Sequence, residues 1–272
     1  MSSMWIGRAW GSEPSLWAIL SLSCGALWVY SVDHWADAGQ VRTLMDHQIS
    51  DRRAFYVRMR LWLALIAISA AIIGAWASLR LPWLTLIFGV VCLGICGVYL
   101  WVVQHRSDYT RVRYPKEVLI TFLYTLALTL WPVSQVFDPP SSFDPLEGGV
   151  SSAMIFCLAW ANLCLISAHE RRFDAAEGSV SLALKLGEFT TRNIGKGAIR
   201  LGTFLWAVRF IPSLLSGYEL INVIDASVSA LMLITLWRLY RRPEWSAQHS
   251  RYRLWADLIF IYPALGLLID WI

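Results

Sequence analysis

The feature that most constrains this chain is a succession of long apolar runs. A helix needs ~20 mostly apolar residues to cross the ~30 Å hydrocarbon core of a bilayer, and within lipid a helix satisfies its own backbone hydrogen bonds. Eight runs reach that length: 14–32, 61–79, 81–103, 117–137, 148–168, 194–215, 218–240 and 252–272. The sequence therefore predicts an all-α membrane protein, a transmembrane bundle of about eight helices forming one integral membrane domain over residues 1–272.

The composition agrees with this class. Hydrophobic residues make up 57% of the chain and charged residues 15%, against about 25% charged residues in an average soluble domain. The net charge of +4 comes from basic residues that lie between the apolar runs, which favours topological signals and contact with anionic membrane lipids over nucleic acid. The five cysteines all fall within apolar runs and form neither a disulfide framework nor a metal-binding CxxC pair.

The loops between the runs alternate in charge, and this alternation predicts sidedness. Lys and Arg gather after the first, third, fifth and seventh runs, whereas the other connections are nearly free of them. The positive-inside rule places the four basic loops in the cytoplasm and both termini outside, with the protein in a bacterial plasma (inner) membrane. One alternative treats the first run as a secretory signal cleaved near Ala36-Asp37-Ala38, but cleavage there would leave an arginine-rich loop outside.

Two pairs of carboxylates lie at the cytoplasmic ends of apolar runs. Asp33 and Asp37 end the first run, and Glu170 and Asp174 follow the fifth. The members of each pair are four residues apart, so on a continuing helix they share a face. Acidic residues near membrane depth are functional candidates, and two pairs at one membrane level are predicted to face each other across a bundle.

The chemistry that suits such pairs is the binding of a diphosphate. Mg²⁺ prefers oxygen ligands and bridges carboxylates to substrate phosphates, and four carboxylates without a cation would repel one another. Basic side chains of the cytoplasmic loops are candidates to contact the remaining phosphate oxygens: Arg42, Arg53, Arg113 and Lys116. The alternative is that all these residues are ordinary charges flanking membrane spans.

The two clusters resemble the two Asp-rich motifs of the UbiA superfamily of intramembrane prenyltransferases. The first family motif reads Asn-Asp-x-x-Asp-x-x-x-Asp, and residues 29–37 match its last two aspartates. The second reads Asp-x-x-x-Asp, followed by a Gly and a small-residue stretch that ends in Leu-Gly or Phe-Gly. Residues 170–187 follow that register, with Glu170 for the first Asp, then Gly178 and Leu186-Gly187.

This resemblance implies a fold, a reaction and a set of site residues. A Mg²⁺ site at Asp33, Asp37, Glu170 and Asp174 would bind a prenyl diphosphate, whose prenyl group passes to a lipophilic or aromatic acceptor within the membrane. The family's Tyr-x-x-x-Lys element is similar to Tyr109-Thr110-Arg111-Val112-Arg113, with Lys116 nearby. The implied diphosphate contacts are Arg42, Arg53, Tyr109, Arg113 and Lys116.

The sequence departs from the family pattern in two places. Val29-Tyr30 stands where the family has Asn-Asp, which removes two expected metal ligands and leaves open a catalytically degenerate protein that binds an isoprenoid lipid or a partner. The family also has one more helix ahead of the first motif's helix. None precedes Pro14, so we expect that helix to be absent or lost.

Two other membrane-protein classes fit the sequence less well. CDP-alcohol phosphotransferases need Asp-Gly-x-x-Ala-Arg, which does not occur in this chain. A secondary transporter would be expected to show paired broken helices or an internal repeat, and neither is visible.

Overall fold

The structure is a computed structural model that describes residues 6–7, 15–40, 51–105, 116–135, 145–176, 181–216 and 220–263. Over these residues the predicted all-α architecture is confirmed, and no β-strand occurs among them. The helices in chain order are α1 (Leu16–Gln40), α2 (Asp51–Arg58), α3 (Arg60–Ser78), α4 (Trp83–His105), α5 (Lys116–Gln135), α6 (Pro145–Ala176), α7 (Leu182–Leu186), α8 (Glu188–Ser216), α9 (Leu220–Arg241), α10 (Pro243–Ala247) and α11 (Arg251–Ile259).

Five stretches of these helices are long and apolar enough to cross a membrane: Leu16–Ala36, Arg60–Ser78, Glu117–Gln135, Leu146–Ala176 and Asn222–Arg241. A shorter apolar stretch covers Trp83–Val98. These helices are compatible with an integral membrane protein, but the predicted count of eight spans is not confirmed. Helix α8 coincides with the sixth predicted run yet carries basic residues along its length, and the eighth run is described only as far as residue 263.

The chain divides into two compact units. The N-terminal unit comprises residues 14–113 together with 173–179, and the C-terminal unit comprises residues 114–172 and 180–272 together with 1–13. Helix α6 therefore belongs to the C-terminal unit except for its last turn. The expectation of a single integral membrane domain stays a prediction.

Within the N-terminal unit, α1 and α3 pack closely through small side chains. A Cβ added at Gly74 would lie 3.0 Å from the Cβ of Cys24, so the glycine allows the two helices to approach. One turn away, the Ser21 and Ser78 hydroxyls are 2.6 Å apart. The Ser78 hydroxyl donates to the Gly74 carbonyl at 2.7 Å, so Ser21 is the donor between the two serines.

An arginine lies against tryptophan at each end of α3. The Arg60 guanidinium lies 4.7 Å from the ring centroid of Trp35, and that of Arg80 lies 5.7 Å from the centroids of Trp17 and Trp76. Helix α3 has 19 residues and is therefore about 28 Å long, close to the thickness of bilayer hydrocarbon. Arginine–tryptophan pairs at both ends are typical of the two membrane–water interfaces.

Within the C-terminal unit, Tyr240 joins three helices. Its side chain on α9 crosses α8 at Gly195, where an added Cβ would overlap the tyrosine hydroxyl. The hydroxyl then donates to the Ala161 carbonyl of α6 at 2.7 Å. Farther along α8, a Cβ at Gly202 would lie 3.2 Å from the Leu233 side chain. Glycines of α8 thus set its distance from α9.

We predict that Gly74→Leu destabilises the N-terminal unit by about 1–3 kcal/mol, because the new side chain has to force α1 and α3 apart. The matched control is Gly89→Leu on α4, where an added Cβ meets nothing within 4 Å. Thermal unfolding in detergent compares the two variants, and an equal loss of stability in both would contradict the close packing at Gly74.

Candidate functional site

The first carboxylate pair lies on α1, which continues unbroken through Asp33 and Asp37 to Gln40. The two residues therefore share a helix face, as their spacing requires. The Asp33 side chain is partly exposed, and the side chain of Asp37 lies outside the described residues.

Three aromatic side chains join the end of α1 to α2. The ring of His34 stacks on that of Tyr56, with centroids 4.1 Å apart and an interplanar angle of 13°. The ring of Tyr30 meets the same histidine edge-on at 4.2 Å, and the Tyr30 and Tyr56 hydroxyls are 2.9 Å apart. Tyr30 stands where the family motif has an aspartate, so in this chain that position packs and hydrogen-bonds instead of offering a carboxylate.

The second pair lies on α6, which continues through Glu170 and Asp174 to Ala176. Asp174 is buried, with 9% of its surface exposed. Glu170 is held by α11: its Oε1 lies 2.5 Å from Arg253 Nη2 and accepts a hydrogen bond from the Tyr252 hydroxyl at 3.4 Å. The Glu170 side chain is only 13% exposed, so Arg253 supplies a positive charge beside a poorly solvated carboxylate.

His169 extends the same contact to α10. Its ring stacks on that of Tyr252, with centroids 4.5 Å apart, and its Nε2 lies 2.9 Å from the Ser246 hydroxyl oxygen. The Ser246 oxygen also lies within hydrogen-bond distance of the Pro243 carbonyl, at 2.8 Å. Ser246 therefore connects the end of α6 to α10 through His169.

The segment that follows the second motif is fixed by side chains of α5 and α6. The first free N–H groups of α7 are capped, with Leu182 donating to Glu117 Oε1 at 2.9 Å and Ala183 donating to the Ser167 hydroxyl at 3.0 Å. Gly187 connects α7 to α8 with a φ of +83°, a conformation that side-chain-bearing residues rarely adopt. The positive φ gives a physical reason for the terminal glycine of the predicted motif. Gly178 lies outside the described residues.

The predicted diphosphate-binding residues are largely outside the described part of the chain. Arg42, Tyr109 and Arg113 fall in segments that the structure does not describe. Arg53 lies on α2 and Lys116 begins α5, but the side chains of both are outside the described residues. Their role at a diphosphate stays a prediction.

The meeting of the four carboxylates also stays a prediction. Glu170 belongs to the C-terminal unit, whereas Asp33, Asp37 and Asp174 belong to the N-terminal unit. Among the described residues, no group of three or more His, Cys, Asp and Glu residues is arranged to hold a metal ion. The aspartate oxygens suit Mg²⁺ by chemistry, whereas Glu170 is engaged by Arg253 and does not fit that role as it stands.

Sequence reasoning missed Ser246, Tyr252 and Arg253 as partners of the α6 end. No periodicity or spacing rule connects residue 253 with residue 170, so a tertiary contact was needed to find them.

Comparison with protein-family models, with curated proteins and with solved structures gave no match.

We predict that Arg253→Gln destabilises the protein by about 1–3 kcal/mol, because it leaves the poorly exposed Glu170 carboxylate without its charged partner. The double variant Glu170→Gln/Arg253→Gln should recover most of this loss, since no charge then remains buried. Thermal unfolding in detergent measures both.

The matched control is Arg242→Gln, immediately before α10. The Arg242 side chain is exposed, so its loss should change stability by about 0.5 kcal/mol or less. A double variant no more stable than Arg253→Gln would show that the ion pair does not account for the effect.

Proposed function

We propose that this chain is an integral membrane prenyltransferase, which transfers the prenyl group of a prenyl diphosphate to a lipophilic or aromatic acceptor within the membrane. The observation that carries the proposal is that two apolar helices of membrane-spanning length, α1 and α6, each continue into a carboxylate pair. This arrangement supports the resemblance of residues 29–37 and 170–187 to the two motifs of the UbiA superfamily.

The proposal includes the finer topology. Eight spans would place the four basic loops and both carboxylate pairs on the cytoplasmic side of a bacterial plasma membrane, with the termini outside. A water-soluble diphosphate head would then meet the carboxylates at the membrane surface, while its hydrocarbon tail stays among the apolar helices.

The three aspartates are the side chains that we assign to a magnesium ion. Asp33, Asp37 and Asp174 offer the oxygen ligands that Mg²⁺ prefers, and one or two carboxylates suffice when phosphates complete the coordination. When bound, the metal supplies positive charge that stabilises a departing diphosphate. Glu170 is assigned a second role, in which it orients Arg253 through their ion pair.

Basic side chains and exclusion of water complete the proposed chemistry. The guanidinium and ammonium groups would donate hydrogen bonds to phosphate oxygens, with the tyrosine hydroxyl as a further donor: Arg42, Arg53, Tyr109, Arg113 and Lys116. Apolar helix surfaces would keep water from the allylic carbon, so that the acceptor and not water attacks it.

A second candidate function is a catalytically degenerate member that binds an isoprenoid lipid or a partner without transfer. Two contacts favour it specifically. Arg253 forms an ion pair with Glu170. Tyr30 hydrogen-bonds Tyr56 at a position where the UbiA motif has a metal-binding aspartate.

We predict that purified protein with Mg²⁺ releases pyrophosphate from at least one member of a panel of prenyl diphosphates and lipophilic acceptors. Asp33→Asn and Asp174→Asn should each lower the rate by about 100-fold, because each would weaken the binding of the metal ion whose positive charge stabilises the leaving group. The assay measures pyrophosphate together with the prenylated product.

Glu244→Gln is the control, because Glu244 is an exposed carboxylate on α10 outside both pairs. Its rate should match that of the unchanged protein. Saturable binding of a prenyl diphosphate without release would favour the degenerate binder. Neither binding nor release across the panel would contradict both candidate functions.

A further inference from the structure

An apolar groove runs between α1 and α3 in the N-terminal unit. It has a volume of about 330 Å³, within the range of ~300–1,000 Å³ that is usual for ligand pockets. Only apolar side chains line it, from Trp28, Val32 and Trp35 on α1 and from Ala64, Ala67, Ile68, Ala71 and Ile72 on α3. We refer to it as the tryptophan groove.

On its α3 side, the groove is lined by small alanines and by exposed isoleucines. Alanines of α3 leave room where larger side chains would fill the space, and Ala67 among them is buried. Ile68 is 58% exposed and Ile72 65% exposed at the rim. Exposed apolar side chains along a helix long enough to span a bilayer are suited to contact with hydrocarbon chains.

A positive charge lies at one end of this groove. The Arg60 guanidinium lies over the ring of Trp35, which is itself part of the lining. Arg60 Nε is buried and, within the described part of the chain, has no hydrogen-bond partner. The guanidinium stays charged at any physiological pH and has a geometry that matches phosphate oxygens. An apolar channel that ends at such a group is complementary to an amphiphile with an anionic head.

We propose that the tryptophan groove binds one acyl chain of an anionic phospholipid, with the lipid phosphate on Arg60. The lining contains no carboxylate, so the groove lacks the oxygen ligands through which a metal-bound diphosphate would be held. The site is therefore distinct in chemistry from the proposed prenyl diphosphate site, and the inference does not rest on the proposed function.

The other end of the same helix pair provides a matched control. Arg80 lies over Trp17 and Trp76, so it has the same type of arginine–tryptophan contact as Arg60. Neither of these tryptophans belongs to the groove lining. If anionic lipid were attracted to any arginine at the end of α3, both Arg60 and Arg80 would contribute to binding. If the tryptophan groove is a specific lipid site, only Arg60 contributes.

The test titrates delipidated protein in detergent with phosphatidylglycerol and with phosphatidylcholine of identical chains, and measures bound lipid by native mass spectrometry. We expect phosphatidylglycerol to bind about tenfold more tightly, because its phosphate charge is uncompensated, whereas the phosphate of phosphatidylcholine is balanced by its own choline cation, which Arg60 repels. Arg60→Gln should abolish this preference, and Arg80→Gln should keep it. Ala71→Trp, at an exposed position of the groove, should weaken both lipids by occupying the chain's place.

Three results would overturn the proposal: equal binding of the two lipids, loss of the preference in Arg80→Gln as large as in Arg60→Gln, or unchanged binding in Ala71→Trp. Displacement of phosphatidylglycerol by inorganic phosphate alone would also overturn it, because the chain would then contribute nothing. Circular dichroism of each variant verifies that the helices are retained, and Ala71→Trp and Arg60→Gln test the chain and the head separately.

Discussion

The long apolar helices are compatible with a bilayer because of one constraint, which is that hydrocarbon offers no water to satisfy the polar groups of a chain. The backbone meets this constraint as helix, and polar side chains within the apolar helices meet it by donating to their own helix. On α5 the hydroxyls of Thr121, Thr125 and Thr129 each bond the carbonyl four residues earlier. Arg209 pairs with Glu147 at 3.1 Å. Because these side chains already have hydrogen-bond or ion-pair partners within the helices, polar groups at the helix ends are the ones that remain available for chemistry.

At the end of α6, residues distant in the sequence determine whether the Glu170 carboxylate is available to bind a ligand. Glu170 lies where the second motif predicts a ligand, but α11 brings Arg253 and Tyr252 to its carboxylate. His169 and Ser246 hold the same segment in place from the side of α10. The C-terminal residues thus orient a carboxylate for which the motif alone predicts no protein partner.

The sequence predicted the helices well because apolar length is a local property. Seven of the eight runs coincide with long helices, and the four-residue spacing of Asp33 with Asp37 and of Glu170 with Asp174 predicted a shared face on a continuing helix, which the structure shows in both places. The sequence could not predict that Tyr30 would bond Tyr56, or that Glu170 would meet Arg253, because these contacts depend on how separate helices pack. Gly187 was predictable only in part. The motif indicates a glycine at this position, but the positive φ that requires a glycine is visible only in the structure.

The arginine–tryptophan contacts at the two ends of α3 have a consequence for the acidic residues of α1. In a bilayer, these contacts would anchor the α1–α3 pair at both headgroup layers, so a membrane of different thickness would have to be accommodated by tilting or by local deformation of the lipid. Asp33 is two residues from Trp35 on the same helix. The depth of Asp33 in a bilayer would therefore follow from these two anchors, and membranes of unequal thickness would expose its carboxylate to water to different extents.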